Sequence, residues 1–127
     1  MQSNPVLLYG ANGYTGVLIA KYAAHHHLQP ILAGRREEAI KPLSTELNLP
    51  YTIIDINNAR QLKDGLTGIK VVIHAAGPFA DTAKQMIEAC LQTGTHYLDI
   101  NGDISVFEMI RRYDAAAKEK NIMIVRL

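Results

Sequence analysis

Few folds accommodate a short apolar run that breaks into glycines and resumes at once with helical spacing. Val6-Leu7-Leu8-Tyr9 does so through Gly10-Ala11-Asn12-Gly13-Tyr14-Thr15-Gly16 into the segment from Val17 to Ala24. The order predicts a strand, a tight turn and a helix. Glycines at such a turn let the backbone approach a pyrophosphate, and the free N–H groups at the helix start, with the positive end of its dipole, form an anion site. The implied ligand is a dinucleotide. The spacing departs from G-x-G-x-x-G: Gly13 and Gly16 fit, Ala11 stands where a glycine is expected, and Gly10 sits one place early. A glycine motif by itself is equally a plain turn. Here Gly13, Gly16, Val17, Ala20 and Ala24 add a stripe of small residues at helical spacing, which allows the helix to pack close to a sheet.

The place that sets the kind of dinucleotide is Ile31-Leu32-Ala33, a short buried strand, followed by Gly34-Arg35-Arg36. About 20 residues after the glycines, an acid would bond the ribose 2′-hydroxyl of NAD. This chain has two arginines there and no acid. Guanidinium groups bind a 2′-phosphate in bidentate fashion, so NADP is expected in preference to NAD. The alternative is that Arg35 and Arg36 are solvated and pair with Glu37 and Glu38.

Further along, Ile40, Leu43 and Leu47 mark one helical face, with Pro42 blurring where the helix begins. Tyr51 to Ile56 is β-branched and aromatic, a third strand that delivers Asp55 at its end. Asp55 is placed either to reach the adenine amino group or to cap the following turn. Asn58 reads as the N-cap of a helix through Leu62 and Leu66, closed by Gly65 and Gly68. Val71-Val72-Ile73 reads as a central strand buried on both faces. It breaks at His74-Ala75-Ala76-Gly77-Pro78, where small residues leave room for the nicotinamide side of a ligand or simply make a turn. Ala83, Met86, Ile87, Cys90 and Leu91 fall at i, i+3, i+4, i+7 and i+8 of the next helix, which makes Cys90 a core residue rather than a nucleophile. Gly94 ends that helix, and His96 to Ile100 is a fifth strand with Asn101-Gly102-Asp103 at its exit. A final helix is expected from Ser105 to Lys118, then a sixth strand, Ile122 to Val125.

Strand and helix alternate throughout, which predicts an α/β fold with a doubly wound parallel sheet of about six strands in the order 3-2-1-4-5-6. At 127 residues the chain is one domain, and its net charge of +1 nominates neither nucleic acid nor an acidic membrane as partner. No apolar run approaches the roughly 18 residues of a membrane span. The polar start Met1-Gln2-Ser3-Asn4-Pro5 is unlike a signal peptide, so the cytoplasm is the expected location. One cysteine allows no internal disulfide and suggests no metal site. His25-His26-His27 are adjacent, so on a helix they point about 100 degrees apart and do not converge on an ion; they suit a helix C-terminus.

Four motifs in order carry a family resemblance: Gly10 to Gly16, Ala33-Gly34-Arg35-Arg36, Ala76-Gly77-Pro78-Phe79 and Gly94-Thr95-His96-Tyr97-Leu98-Asp99. Together they resemble the N-terminal NADP-binding Rossmann domain of saccharopine dehydrogenase-like oxidoreductases, a family that includes trans-acting enoyl reductases. The resemblance runs nearly end to end. It implies a pyrophosphate turn from Gly10 to Gly16, taking in Asn12, Gly13, Tyr14 and Thr15. It also implies a 2′-phosphate contact at Arg35 or Arg36 and cofactor contact around Ala76, Gly77 and Pro78. Relatives usually carry glycine then glutamate where this chain has Asn101-Gly102-Asp103.

Members of that family continue into a substrate-binding and dimerising domain. Residues 1–127 hold none, so the sequence fits an isolated domain, a truncated product or a stand-alone module. A small-molecule substrate is then expected only together with a second domain, little turnover is expected from these residues alone, and an exposed docking surface is expected to cause self-association into a homo-oligomer. Two functions compete: the cofactor half of an NADP-dependent oxidoreductase, or a non-catalytic NADP-sensing module. A short-chain dehydrogenase with a tyrosine–lysine pair is excluded by spacing, since no tyrosine has lysine four residues later. A G-x-S-x-G elbow is absent as well. No residue stands out as catalytic.

Overall fold

Alternation of short apolar runs with amphipathic segments leaves the chain little choice but to wind strands and helices in turn. The computed structural model describes residues 5–100 and 104–126. Its elements are β1 (Val6–Tyr9), α1 (Tyr14–His25), β2 (Ile31–Gly34), α2 (Glu37–Leu47), β3 (Tyr51–Ile53) and α3 (Ala59–Leu66). They continue with β4 (Val71–His74), α4 (Phe79–Thr93), β5 (His96–Asp99), α5 (Ile104–Arg111), α6 (Asp114–Glu119) and β6 (Ile124–Arg126). The strands form one parallel sheet in the order β3-β2-β1-β4-β5-β6, as expected from the sequence. Register runs Leu8 to Leu32 on one side of β1 and Leu8 to Ile73 on the other.

Strand side chains alternate between two apolar layers. Leu8 and Leu32 pack with Ala20, Ile40 and Leu43 beneath α1 and α2. Leu7, Ala33, Val72 and Tyr97 pack on the opposite face with Leu62, Leu66, Met86, Ile87, Cys90, Val106 and Ile110. Cys90 is fully buried, and burial pushes its thiol pKa up, as befits a core residue. Asn58 caps α3 by accepting a 3.0 Å bond from the Gln61 amide, and Gly94 ends α4 in the left-handed region.

Several boundaries differ from the sequence reading, each for a local reason. The expected helix from Ser105 to Lys118 is two. Arg112 and Tyr113 donate to carbonyls three residues back, Met109 and Ile110, which tightens and stops α5. The chain restarts as α6 when Ala117 bonds the Tyr113 carbonyl, while the Tyr113 hydroxyl donates to Glu88 of α4 at 3.2 Å. The sixth strand starts at Ile124 rather than Ile122, because Ile122 is buried against the core and its amide bonds Ala117. The third strand ends at Ile53, so Asp55 follows it in a turn. Gly65 lies inside α3, against the Ile54 side chain, and Pro42 sits inside α2. On β4 only Val72 and His74 are buried; Val71 and Ile73 are half-buried, because the layer of α1 and α2 is centred on β1 to β3 and Ile73 meets only its edge. Asn101, Gly102 and Asp103 lie outside the described residues.

Candidate functional site

The carboxyl ends of β1, β2 and β4 open onto a crevice of about 490 Å³, where a doubly wound sheet places its ligands. Its floor is the glycine turn. Gly10 has φ +83°, and a Cβ there would meet the backbone of Ala75 and Ala76 at 2.8–2.9 Å, so only glycine lets the β4 loop close in beside it. A Cβ on Gly16 would stand 2.0 Å from the Gly10 carbonyl oxygen, which requires the turn and α1 to pack without a side chain. The Gly10 amide bonds the Ala33 carbonyl at 2.9 Å, and its own carbonyl accepts from Gly13 at 3.0 Å. These bonds anchor the turn to the end of β2.

Helix α1 begins at Tyr14 with Gly13 as its cap residue, without a side-chain cap and without an acid in its first turn. The amides of Tyr14, Thr15 and Gly16 therefore have no intrahelical acceptor and face an uncompensated positive dipole end. Tyr14 is 86% exposed, and neither Tyr14 nor Thr15 lines the crevice. Asn12 lines it, with its side-chain Oδ1 3.1 Å from where a Cβ on Gly34 would sit.

Arg35 and Arg36 follow β2, are exposed, and both line the crevice. Among the described residues neither forms an ion pair with Glu37 or Glu38. The Glu37 carboxylate accepts instead from the Tyr51 hydroxyl at 3.1 Å, which leaves two cations free at the crevice wall. Asp55 takes the turn-capping role: its Oδ1 accepts from the Asn57 amide at 3.0 Å, its own amide bonds Gln61, and Ile56 and Asn57 rather than Asp55 reach the crevice. Ala76, Gly77 and Pro78 line the far side, as their small size suggested.

Sequence reasoning missed Tyr9, Asn57, Asp81 and Thr82, all of which line the same space. Tyr9 reads as one more apolar strand residue, yet its hydroxyl crosses to the Ile54 carbonyl at 2.8 Å, and burial raises its pKa. Asp81 and Thr82 had a signal, as polar residues in the first turn of a helix that starts at the sheet's carboxyl edge. At β5, Tyr97 donates a 2.6 Å bond to buried Asp99, and burial drives the Tyr97 pKa up.

The model of the saccharopine dehydrogenase NADP-binding domain matches residues 6–125. The chain belongs to the saccharopine dehydrogenase NADP-binding domain family. Curated relatives include a saccharopine dehydrogenase-like oxidoreductase of Bos taurus, 27% identical over 94% of this chain and 33% of its own length. A lipid droplet localized protein of Caenorhabditis elegans is 26% identical over 98% of this chain and 33% of its length. The chain thus spans about a third of the curated relatives it matches. Saccharopine dehydrogenase (L-Glu forming) of Saccharomyces cerevisiae superposes over 98% of this chain and 27% of its own, with a TM-score of 0.84 at 16% identity, a likeness of fold. The NADP-binding domain holds no described helix long and apolar enough to cross a membrane.

Proposed function

We propose that this NADP-binding domain supplies the cofactor half of a hydride-transfer oxidoreductase, with the dinucleotide lying along the crevice from Arg35 and Arg36 to Pro78. When bound, the nicotinamide ring would give or take the hydride. The chain's own residues bind and orient. The first-turn amides of α1 hold the pyrophosphate at the turn formed by Gly10, Gly13 and Gly16, and the loop Ala76-Gly77-Pro78 leaves space for the second ribose. The observation that carries this reading is the pair of arginines, exposed at the crevice wall and free of ion pairs among the described residues. Two unpaired guanidinium groups suit the dianionic 2′-phosphate of NADP. Family membership favours this reading over a sensing module.

Titration calorimetry with NADPH and NADH, on the parent and on Arg35→Ala, tests it. A 2′-phosphate held by arginine contributes roughly 1.5–3 kcal/mol, or about tenfold to a hundredfold in affinity. NADPH should exceed NADH by that margin, and Arg35→Ala should remove most of it. Equal binding of the two nucleotides by the parent would refute the placement.

The substrate is a small molecule brought to the nicotinamide end by chain outside these residues, and little turnover is expected from residues 1–127 alone because one wall of the crevice is solvent. A second copy of the chain is the partner expected on the open face of β4, β5 and β6. The working location remains the cytoplasm; the name of the Caenorhabditis elegans relative makes co-fractionation with lipid droplets the alternative to test.

A further inference from the structure

His74 ends β4 directly beneath the crevice and is fully buried. Three rings enclose it, those of Tyr9, Phe79 and Tyr97, at centroid distances of 6.0, 5.0 and 6.0 Å. Its Nε2 stands 2.9 Å from the Thr82 hydroxyl, while Nδ1 has no partner among the described residues. The same hydroxyl lies 3.1 Å from the Ala76 carbonyl and 3.3 Å from the Pro78 carbonyl.

One hydroxyl hydrogen serves only one of these neighbours, and the bonding network decides which. If Thr82 donated to Nε2, the ring hydrogen would sit on Nδ1, a buried donor with nothing to meet. If the ring donates from Nε2, only a lone pair is left over, and the Thr82 hydrogen goes to the loop carbonyls. A stranded donor is the rarer and costlier outcome, so the second arrangement holds. The bonds then run from the Nε2 hydrogen of β4 to Thr82 in the first turn of α4 and on to the Ala76–Pro78 loop. Back-bonding to Pro78, four residues earlier, is common for a helical threonine. A fully buried histidine feeding the same oxygen is not part of that habit.

Thr82 and the loop it holds line the crevice on the side of β1 away from Arg35 and Arg36. In a doubly wound sheet that is the nicotinamide side. We infer that Thr82, fixed by His74, is a positioning residue that sets the Ala76–Pro78 loop for the nicotinamide half of the dinucleotide. The inference rests on the cofactor reading above, so its test must separate the two halves of the ligand.

Adenosine 2′,5′-bisphosphate carries the 2′-phosphate and lacks the nicotinamide half; NADPH carries both. Affinities for each are measured on the parent, on Thr82→Val, which keeps shape and loses the hydroxyl, and on Thr82→Ser, which restores it. Thr82→Val should weaken NADPH about tenfold while the bisphosphate stays within about twofold, and Thr82→Ser should recover most of the NADPH affinity. The unchanged bisphosphate also shows that the variant is folded. The inference is overturned if Thr82→Val weakens both ligands equally, if it weakens neither, or if the parent binds NADPH no better than the bisphosphate. Should the parent bind neither ligand, the cofactor reading falls and takes this inference with it.

Discussion

His74 is the residue whose surroundings most constrain its chemistry. Burial lowers its pKa from an ordinary 6.5 to about 4, because a charge placed among Tyr9, Phe79 and Tyr97 is stripped of water. The folded state thus binds fewer protons than the unfolded state between those two values. Stability linked to His74 is complete above pH 6.5 and is lost as pH falls toward 4. The change amounts to about 2 kcal/mol between pH 7 and pH 5. A His74→Gln variant keeps the other four histidines, so the difference between the two proteins isolates this one. Urea denaturation at pH 7, 6 and 5 should show the parent losing about 2 kcal/mol more than the variant across that interval. Parallel losses in the two proteins would mean that the ring is charged, or solvated, in the folded state. Nothing in the residue order announces this environment, since a histidine at the end of an apolar strand reads the same whether its ring is stranded or wet.

Helices and strands were legible in proportion to how far local chemistry fixes them. Asn58 is the clear case: an amide side chain just before a helical pattern reads as a cap, and its Oδ1 accepts from Gln61. Asn58→Ala should cost about 1 kcal/mol in chemical denaturation, with no change in NADPH affinity, because α3 lies outside the crevice. A cost near zero would mean that water replaces the cap. The break between α5 and α6 was invisible because Val106, Ile110, Tyr113 and Ala117 keep helical spacing straight through it. What stops α5 is a pair of three-residue bonds and the reach of Tyr113 to Glu88, a tertiary contact that no periodicity encodes. Within the crevice the same division holds. Glycines and arginines announced themselves through spacing, whereas Asn57 and Thr82 enter through the way α3 and α4 pack, and Asp55 took the local bond available to it.

The two faces of the sheet are unequal, and that asymmetry leads to a prediction about self-association. A parallel sheet is ordinarily covered on both sides. Here α3 to α6 cover one face, but the layer of α1 and α2 is centred on β1 to β3 on the other and meets β4 only at its edge, at Ile73. Strand alternation turns Ile73, Leu98 and Val125, register partners across β4, β5 and β6, toward the uncovered side, with Met123 62% exposed beside them. A groove of about 610 Å³ adjoins this strip, lined by Val6, Leu8, Ile19, Tyr22, Leu28 and Ile73. The groove's lining includes His27 but no Asp, Glu, Lys or Arg, so two copies brought face to face across a two-fold axis would remove apolar surface from water with little charge repulsion. Sedimentation velocity over a concentration series should therefore show reversible self-association of residues 1–127. Leu98→Glu should shift the chain toward monomer by burying like charges opposite one another, while Glu46→Gln, on α2 beside Lys21 of α1, should not. A parent that stays monomeric at the highest soluble concentration, or a Leu98→Glu variant that associates as the parent does, would place the contact elsewhere. NADPH affinity should be the same in both oligomeric forms, because the open face and the crevice lie on different sides of the sheet's carboxyl edge and share no lining residue.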